Sequence, residues 1–172
     1  MLSYPEGREP ISDRQAWERA GTCASSFGPR ARVHSLMKFS SSYYARIVDG
    51  QTGENLAELM VDRYSGAVYP EPGPCFARAA SSRETAGEGD VQPYDQEGAR
   101  SRADSFLAGY CPGSRALDGE DYPGYYSFYF GRQDTEGILS VNSSDGRVWV
   151  HSWHGIFLEE VLDGREKEGS PK

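Results

Sequence analysis

The sequence lacks any long hydrophobic run, since no stretch approaches the ~18 apolar residues of a membrane-spanning helix. It also lacks an excess of positive charge, because 26 acidic residues outnumber 18 Lys and Arg and give a net charge of −8. Nucleic acid and anionic membrane surfaces are therefore excluded as expected partners. Hydrophobic residues make up 37% and aromatic residues 12% of the 172 residues, which indicates a folded rather than a disordered chain.

Cysteine is scarce, and the three thiols (Cys23, Cys75 and Cys111) cannot all pair within one chain. At most one internal disulfide can form, and its pairing is left open by the sequence. No CxxC pair occurs, which excludes a zinc knuckle and a thioredoxin-type motif.

The N-terminal segment MLSYPEGREP has no basic stretch followed by an apolar one, so no secretory signal is visible. The chain is accordingly expected to be cytoplasmic or to begin after a removed leader. Catalytic signatures are missing as well: the sequence contains no GxSxG elbow and neither GxxxxGK[ST] nor GxGxxG. We therefore predict a protein that is not an enzyme and has no cofactor.

What the sequence does contain is an internal repetition. A shift of 80 residues lays LMVDRYSGAVY (59–69) on LSVNSSDGRVW (139–149), with Asp62 on Asn142 and Gly66 on Gly146. Upstream, a shift of 83 residues lays one helix-like segment on another; the matched pairs include Ala16 with Ala99, Arg19 with Arg102, Ala20 with Ala103 and Tyr43 with Tyr126. Two copies of one unit are therefore predicted.

Each copy has the same local pattern. Helical segments are predicted over 11–27, with Ser12 and Gln15 as a capping box, and over 94–110, with Asp95 as the N-cap. Strand-like segments follow each helix, at 42–49, 54–62 and 66–70 in the first copy and at 125–132, 136–142 and 146–153 in the second. The predicted fold class is α+β, with two tandem units of a helix plus an antiparallel sheet packed together.

The resulting domain organisation has five parts. They are an N-terminal extension (1–10), a first unit (11–70), an exposed linker rich in Pro, Gly and Ser (71–93), a second unit (94–158) and a flexible C-terminal tail (159–172).

A helix followed by a hairpin of the form V-(N/D)-x-x-(S/D)-G-x-V resembles the PepSY domain family. The segment TEGILSVNSSDGRVWVHSWHGIF (135–157), which ends in a Trp-His-Gly element, carries the resemblance best, and ELMVDRYSGAVYPEPGP (58–74) repeats it. The resemblance implies a non-catalytic module that is secreted or attached to the cell envelope. It also implies a protein partner, which would be a peptidase or an envelope protein.

The candidate binding residues lie in the second copy, where an aromatic strand face is followed by an aromatic and histidine-rich segment. Such amphipathic side chains dominate many protein interfaces. The partner-binding residues predicted in this way are Tyr125, Tyr129, Trp149, His151, Trp153 and His154. His151 and His154 are also a weaker candidate for a metal-ligand pair, which would need a turn after Val150 because a straight strand sends them to opposite faces.

Three functions follow as hypotheses. The first is a protein-binding or regulatory module that acts through a sheet edge and the segment 149–154. The second is a structural or accessory subunit of a larger envelope or extracellular assembly, which burial of the Trp-His-Gly element would favour. The third is a metal-binding accessory protein.

Overall fold

The computed structural model describes residues 8–73 and 94–161. In these residues two α-helices accompany two antiparallel sheets of five and four strands, so the α+β class is confirmed. The chain forms two compact units. Unit 1 comprises Met1–Pro70 together with His154–Lys172, and unit 2 comprises Glu71–Trp153. The chain thus leaves unit 1 at Pro70 and returns to it at His154.

Unit 1 begins with α1 (Asp13–Ala24), which continues into a short 3-10 turn (Ser25–Phe27). The predicted capping box is confirmed, since Ser12 accepts from the backbone of Gln15 while the Gln15 side chain accepts from the backbone of Ser12. These two bonds satisfy donors that a helix start leaves unpaired. Ala16, Ala20 and Ala24 form the buried stripe of the helix, and their small side chains let it lie close to the sheet.

The sheet of unit 1 has the strand order β4-β3-β2-β1-β9. Its core side is lined by Leu36, Tyr43, Ile47 and Leu59, all fully buried in one cluster with α1. The strands are β1 (Ala31–Phe39), β2 (Ser42–Asp49), β3 (Asn55–Asp62), β4 (Val68–Pro70) and β9 (Phe157–Val161).

Unit 2 packs α2 (Gln96–Tyr110) on a sheet of order β5-β6-β7-β8. Asp95 caps the helix by accepting from the Gly98 backbone, as predicted. The alternation predicted for the aromatic strand is also confirmed, because Tyr126, Phe128 and Phe130 enter one core cluster with α2. The strands are β5 (Arg115–Tyr122), β6 (Tyr125–Gly131), β7 (Gly137–Asn142) and β8 (Val148–Val150).

The residue pairs matched in the sequence make matching contacts in their own units. Arg19 donates to the Gly66 carbonyl (3.1 Å) in unit 1, and Arg102 donates to the Gly146 carbonyl (3.1 Å) in unit 2. Both glycines have positive φ, 70° and 67°, at the turn between the last two strands of the copy. In both units, therefore, an arginine of the helix fixes the turn of the final hairpin.

Several stretches differ from the sequence expectations. Strands β1 and β5 were not assigned from the sequence, and residues 159–161 of the predicted tail belong to β9, which pairs antiparallel with β1. Glu71, expected in an exposed linker, is only 1% exposed. The rest of that linker (74–93), including Cys75, lies outside the described residues, whereas Cys23 and Cys111 are free thiols.

Candidate functional site

The segment 149–154 is divided between the two units. Trp149, His151 and Trp153 belong to unit 2, and His154 belongs to unit 1. A short 3-10 turn (Ser152–His154) follows β8, so the backbone does bend after Val150. Each histidine is buried, at 4% exposure for His151 and 0% for His154. Pairing of the two as metal ligands stays a prediction.

His151 is the centre of a buried polar network in unit 2. Its Nδ1 lies 3.2 Å from Glu71 Oε1, and its Nε2 lies 2.9 Å from Ser140 Oγ. Ser140 is in turn 2.8 Å from Ser127 Oγ on the neighbouring strand. With a proton on Nδ1 facing the carboxylate, Nε2 carries the lone pair and accepts from Ser140. His151 thus lies between the Glu71 carboxylate and the hydroxyls of the two neighbouring strands.

Trp153 is the last member of this polar network and contacts both Glu71 and His151. Its indole Nε1 donates to Glu71 Oε1 at 2.6 Å, and its ring stacks on His151 with centroids 5.0 Å apart. Because burying an uncompensated carboxylate is costly, these donors stabilise Glu71 inside unit 2. Trp153 is half-buried, and its polar atom is already engaged within the fold.

The order Ser140–His151–Glu71 has the connectivity of a hydrolase triad, in which a histidine links a hydroxyl to a carboxylate. Ser140, however, lies within β7 and is 0% exposed, while Glu71 is 1% exposed. A nucleophile needs a vacant position beside it for the reacting carbonyl. The buried hydroxyl of Ser140 instead bonds to its cross-strand neighbour Ser127, which is typical of a structural network.

His154 is held by aromatic packing in unit 1. Its ring stacks on Phe39 with centroids 4.8 Å apart, and Tyr44 meets it edge-on at 5.9 Å. Its Nδ1 lies 2.5 Å from Ser42 Oγ, and its carbonyl accepts from the Ser41 backbone at 3.1 Å. These contacts attach the returning chain to unit 1 just before β9.

The other predicted binding residues belong to unit 2. Tyr125 is 3% exposed and stacks on Tyr122 with centroids 5.0 Å apart. Tyr129 and Trp149 are half-buried, and Trp149 lies under the guanidinium of Arg147 at 5.8 Å. Their role in partner binding stays a prediction, whereas Tyr125, His151 and His154 have almost no surface to offer.

The sheet edges are the remaining candidates for binding, and β5 is the edge of the unit 2 sheet. Side chains of α2 occupy its backbone groups. Asp104 accepts from the Ala116 N–H (2.6 Å), Arg100 donates to the carbonyls of Ala116 (2.9 Å) and Leu117, and Gln96 donates to the Gly119 carbonyl (3.3 Å). Covering an edge in this way blocks pairing with a further strand.

The edges formed by β4 and β8 are only three residues long, which leaves little backbone for pairing. The fourth edge, β9, has five residues, and no other strand of the described residues pairs with its outer side. Leu158 on this strand is 49% exposed, and Ile156 just before it is 73% exposed. Sequence reasoning missed β9, although the apolar run Ile156, Phe157 and Leu158 was a visible signal.

One lysine links β9 to α1 in addition to the strand pairing with β1. Lys38 of β1 lies 2.9 Å from Asp13 of α1 and 3.1 Å from Glu159 of β9. Burial favours the neutral amine, but hydrogen bonds and attraction from the two carboxylates outweigh it and raise the pKa of Lys38. Glu159 is thereby engaged, while Glu160 is exposed and forms no ion pair with the residues that the structure describes.

The molecule is an α+β protein with two compact units, one of which carries an open sheet edge. No protein-family model and no curated protein matches the chain. A similar solved structure is the C-terminal domain of YpeB from Bacillus megaterium, at 14% identity and a TM-score of 0.31, covering 96% of this chain and 70% of that one. A likeness this low shows neither the family nor the function. Within 8–73 and 94–161, no helix combines the length and apolar character needed to cross a bilayer.

Proposed function

We propose that the chain is a non-catalytic module that binds another protein by adding an extended segment to the outer edge of β9. The observation that carries the proposal is the exposure of Leu158 (49%) on an edge strand whose outer side pairs with no described strand. An edge strand presents unpaired backbone groups, and added main-chain hydrogen bonds supply affinity. A partner among peptidases or envelope proteins is what the PepSY resemblance favours.

A second candidate is a structural or accessory subunit. Burial of His151 and His154 favours it, because these side chains are used for packing rather than display. Under this candidate, the segment 149–154 stabilises each unit and makes no contact with a partner. Both candidates give His151 and His154 a structural role, and they differ in whether β9 binds a partner.

The test is a photo-crosslinking amino acid placed at position 158 in the full chain and exposed to a native extract. The matched control places it at position 118, since Asp118 is an exposed residue of the capped strand β5. We expect a discrete adduct from position 158 only. Equal labelling from both positions, or none from either, would exclude β9 as the binding edge and favour the structural subunit.

Replacing Trp153 or His154 is a poor test of binding. Trp153→Ala removes the 2.6 Å bond to buried Glu71, and His154→Ala leaves a cavity beside Phe39. Either change destabilises its unit and would reduce binding indirectly. Leu158 is exposed, so its substitution probes the edge without this cost.

A further inference from the structure

Unit 2 has a pocket of about 350 Å³ beside β5, β6 and the loop between β6 and β7. This volume is at the lower end of the range of roughly 300–1,000 Å³ found for small-molecule sites. The lining combines two acidic residues, an aromatic, two other polar residues and an apolar one, namely Asp118, Asp134, Tyr129, Gln133, Thr135 and Leu117. We propose that this pocket, which includes no residue of β9, binds a small molecule that carries a guanidinium group on an aliphatic chain.

The strand side of the pocket is a bulge in β5. The register between β5 and β6 shifts between Ala116 and Gly119. Two residues of β5, Leu117 and Asp118, therefore lie opposite the single residue Tyr129 of β6. Tyr129 is half-buried and, by the alternation of β6, lies on the sheet face away from α2. Bulges interrupt strand pairing and are frequent beside functional sites.

The loop side of the pocket, residues 132–136, is tightly folded. The Glu136 N–H donates to the Phe130 carbonyl (2.8 Å), which brings the loop back onto the end of β6. The carbonyl oxygen of Asp134 approaches Gly131 so closely that any Cβ at this position would overlap it. Glycine allows this close approach of two backbone segments, so Asp134 is held in a defined place at the pocket.

The charge of the lining favours a cation. Within 8–73 and 94–161, neither Asp118 nor Asp134 forms an ion pair or a side-chain hydrogen bond, and the lining includes no Lys or Arg. Arg132 in the same loop is paired with Glu136 at 3.1 Å. Two carboxylates without a basic neighbour in the lining attract a positively charged ligand.

The ring of Tyr129 favours a guanidinium among cations. A guanidinium is planar, stacks on aromatic faces and donates in pairs to carboxylates. Unit 2 uses the same combination internally, since the guanidinium of Arg147 lies over the Trp149 ring at 5.8 Å and contacts the Asp145 carboxylate at 3.8 Å. A ligand in the pocket would find both kinds of partner in Tyr129 and the two aspartates.

The other lining residues fit the rest of such a ligand. Gln133 and Thr135 each carry a side-chain oxygen that can accept from an N–H of the ligand. Leu117 is half-buried and offers apolar surface to an aliphatic chain. A hydrated metal ion would use the carboxylates but would make no use of the tyrosine ring or of Leu117.

The test follows NMR chemical shifts of the full chain during titration with three probes of equal chain length: butylguanidinium, butylammonium and the uncharged butylurea. We expect butylguanidinium to bind most tightly and butylurea least, with the shifts concentrated at the lining residues. Asp118→Asn, Asp134→Asn and Tyr129→Leu should each weaken binding of butylguanidinium about two- to fivefold. Asp145→Asn is the matched control, because this exposed aspartate of unit 2 is outside the lining, and it should leave the affinity unchanged.

Three results would overturn the proposal. Equal affinity for the three probes would remove the requirement for charge, and butylammonium binding as tightly as butylguanidinium would remove the preference for a guanidinium. Undiminished binding to a chain with both Asp118→Asn and Asp134→Asn would show only general attraction by the net charge of −8. None of these results bears on β9, so the pocket and the proposed function fail or hold independently.

Discussion

The two units protect corresponding edge strands by different means. In unit 1, β1 is covered by β9, which arrives from the far end of the chain. In unit 2, β5 is covered by Gln96, Arg100 and Asp104, which follow one another at intervals of four along α2. The same shift of 83 residues places Asp13, Trp17 and Gly21 at these positions in α1.

The difference shows how an edge becomes available. Trp17 and Gly21 carry neither a guanidinium nor a carboxylate, so α1 cannot repeat the contacts that Arg100 and Asp104 make. An added strand covers the edge of unit 1 instead, and it moves the unpaired backbone groups one strand outward, to β9. Helix side chains close an edge, whereas a strand creates a new one.

The largest effect is expected from removing β9. A chain that ends at Gly155 loses buried Val161 and the pairing with β1, so its free energy of unfolding should fall by about 3 kcal/mol or more. Urea denaturation measures this, with a chain ending at Val161 as the control. Equal stability of the two chains would show that β1 does not need a covering strand.

Arg100→Ala should have the next largest effect. It leaves the carbonyls of Ala116 and Leu117 without their donor and removes the guanidinium from above the Phe128 ring (5.2 Å). We expect a loss of about 1–3 kcal/mol and new concentration-dependent aggregation through β5. Arg14→Ala is the control, because its ion pair with Glu18 is exposed and contributes little. Light scattering that stays unchanged in Arg100→Ala would contradict the capping role.

Lys38→Met should cost about 1 kcal/mol at neutral pH, because it removes the ion pairs that join α1, β1 and β9. Since folding raises the pKa of Lys38, its contribution is complete below the ordinary value of 10.5 and disappears as pH rises through the folded-state pKa. The stability difference between wild type and variant should therefore shrink above pH 10.5. Urea denaturation at pH 8 to 12 tests this, and a difference that grows with pH would contradict it.

The smallest effect on stability is expected from Asp62→Asn, because Asp62 and its counterpart Asn142 make the same turn contacts in the two units. Asp62 Oδ1 accepts from the backbones of Tyr64 (2.9 Å) and Ser65 (2.7 Å), and Asn142 Oδ1 accepts from Ser144 (2.7 Å) and Asp145 (3.2 Å). Asp62→Asn should thus change stability by less than about 0.5 kcal/mol. Thermal unfolding monitored by circular dichroism measures it, and a loss above about 1 kcal/mol would show that the turns are not equivalent.

Local signals made much of the fold predictable. The helix N-caps, the turn glycines and the strict alternation of Tyr126, Phe128 and Phe130 act over a few residues and can be read from the sequence. β1 and β5 were missed because their patterns are weak: Arg32 and His34 are exposed on β1, and β5 carries four polar or charged positions around Gly119.

The candidate site was less predictable because its contacts are long-range. Glu71 and His151 are 80 positions apart, and only the fold brings their side chains together. The same holds for Lys38 and Glu159, whose ion pair joins β1 to β9. Three of the six residues singled out from the sequence, Tyr125, His151 and His154, are buried, because burial of a strand face depends on the elements packed against it.

The central claim is that the β9 edge can bind a further strand and the β5 edge cannot. It is tested most directly by amide hydrogen exchange of both strands in one sample. It is measured by NMR before and after adding an excess of an eight-residue peptide that alternates valine with threonine. We predict that exchange in Leu158–Val161 slows by about tenfold or more while exchange in Arg115–Tyr122 is unchanged, since Asp104 and the other α2 side chains already occupy that edge. New protection in β5, or none in β9, would contradict this assignment.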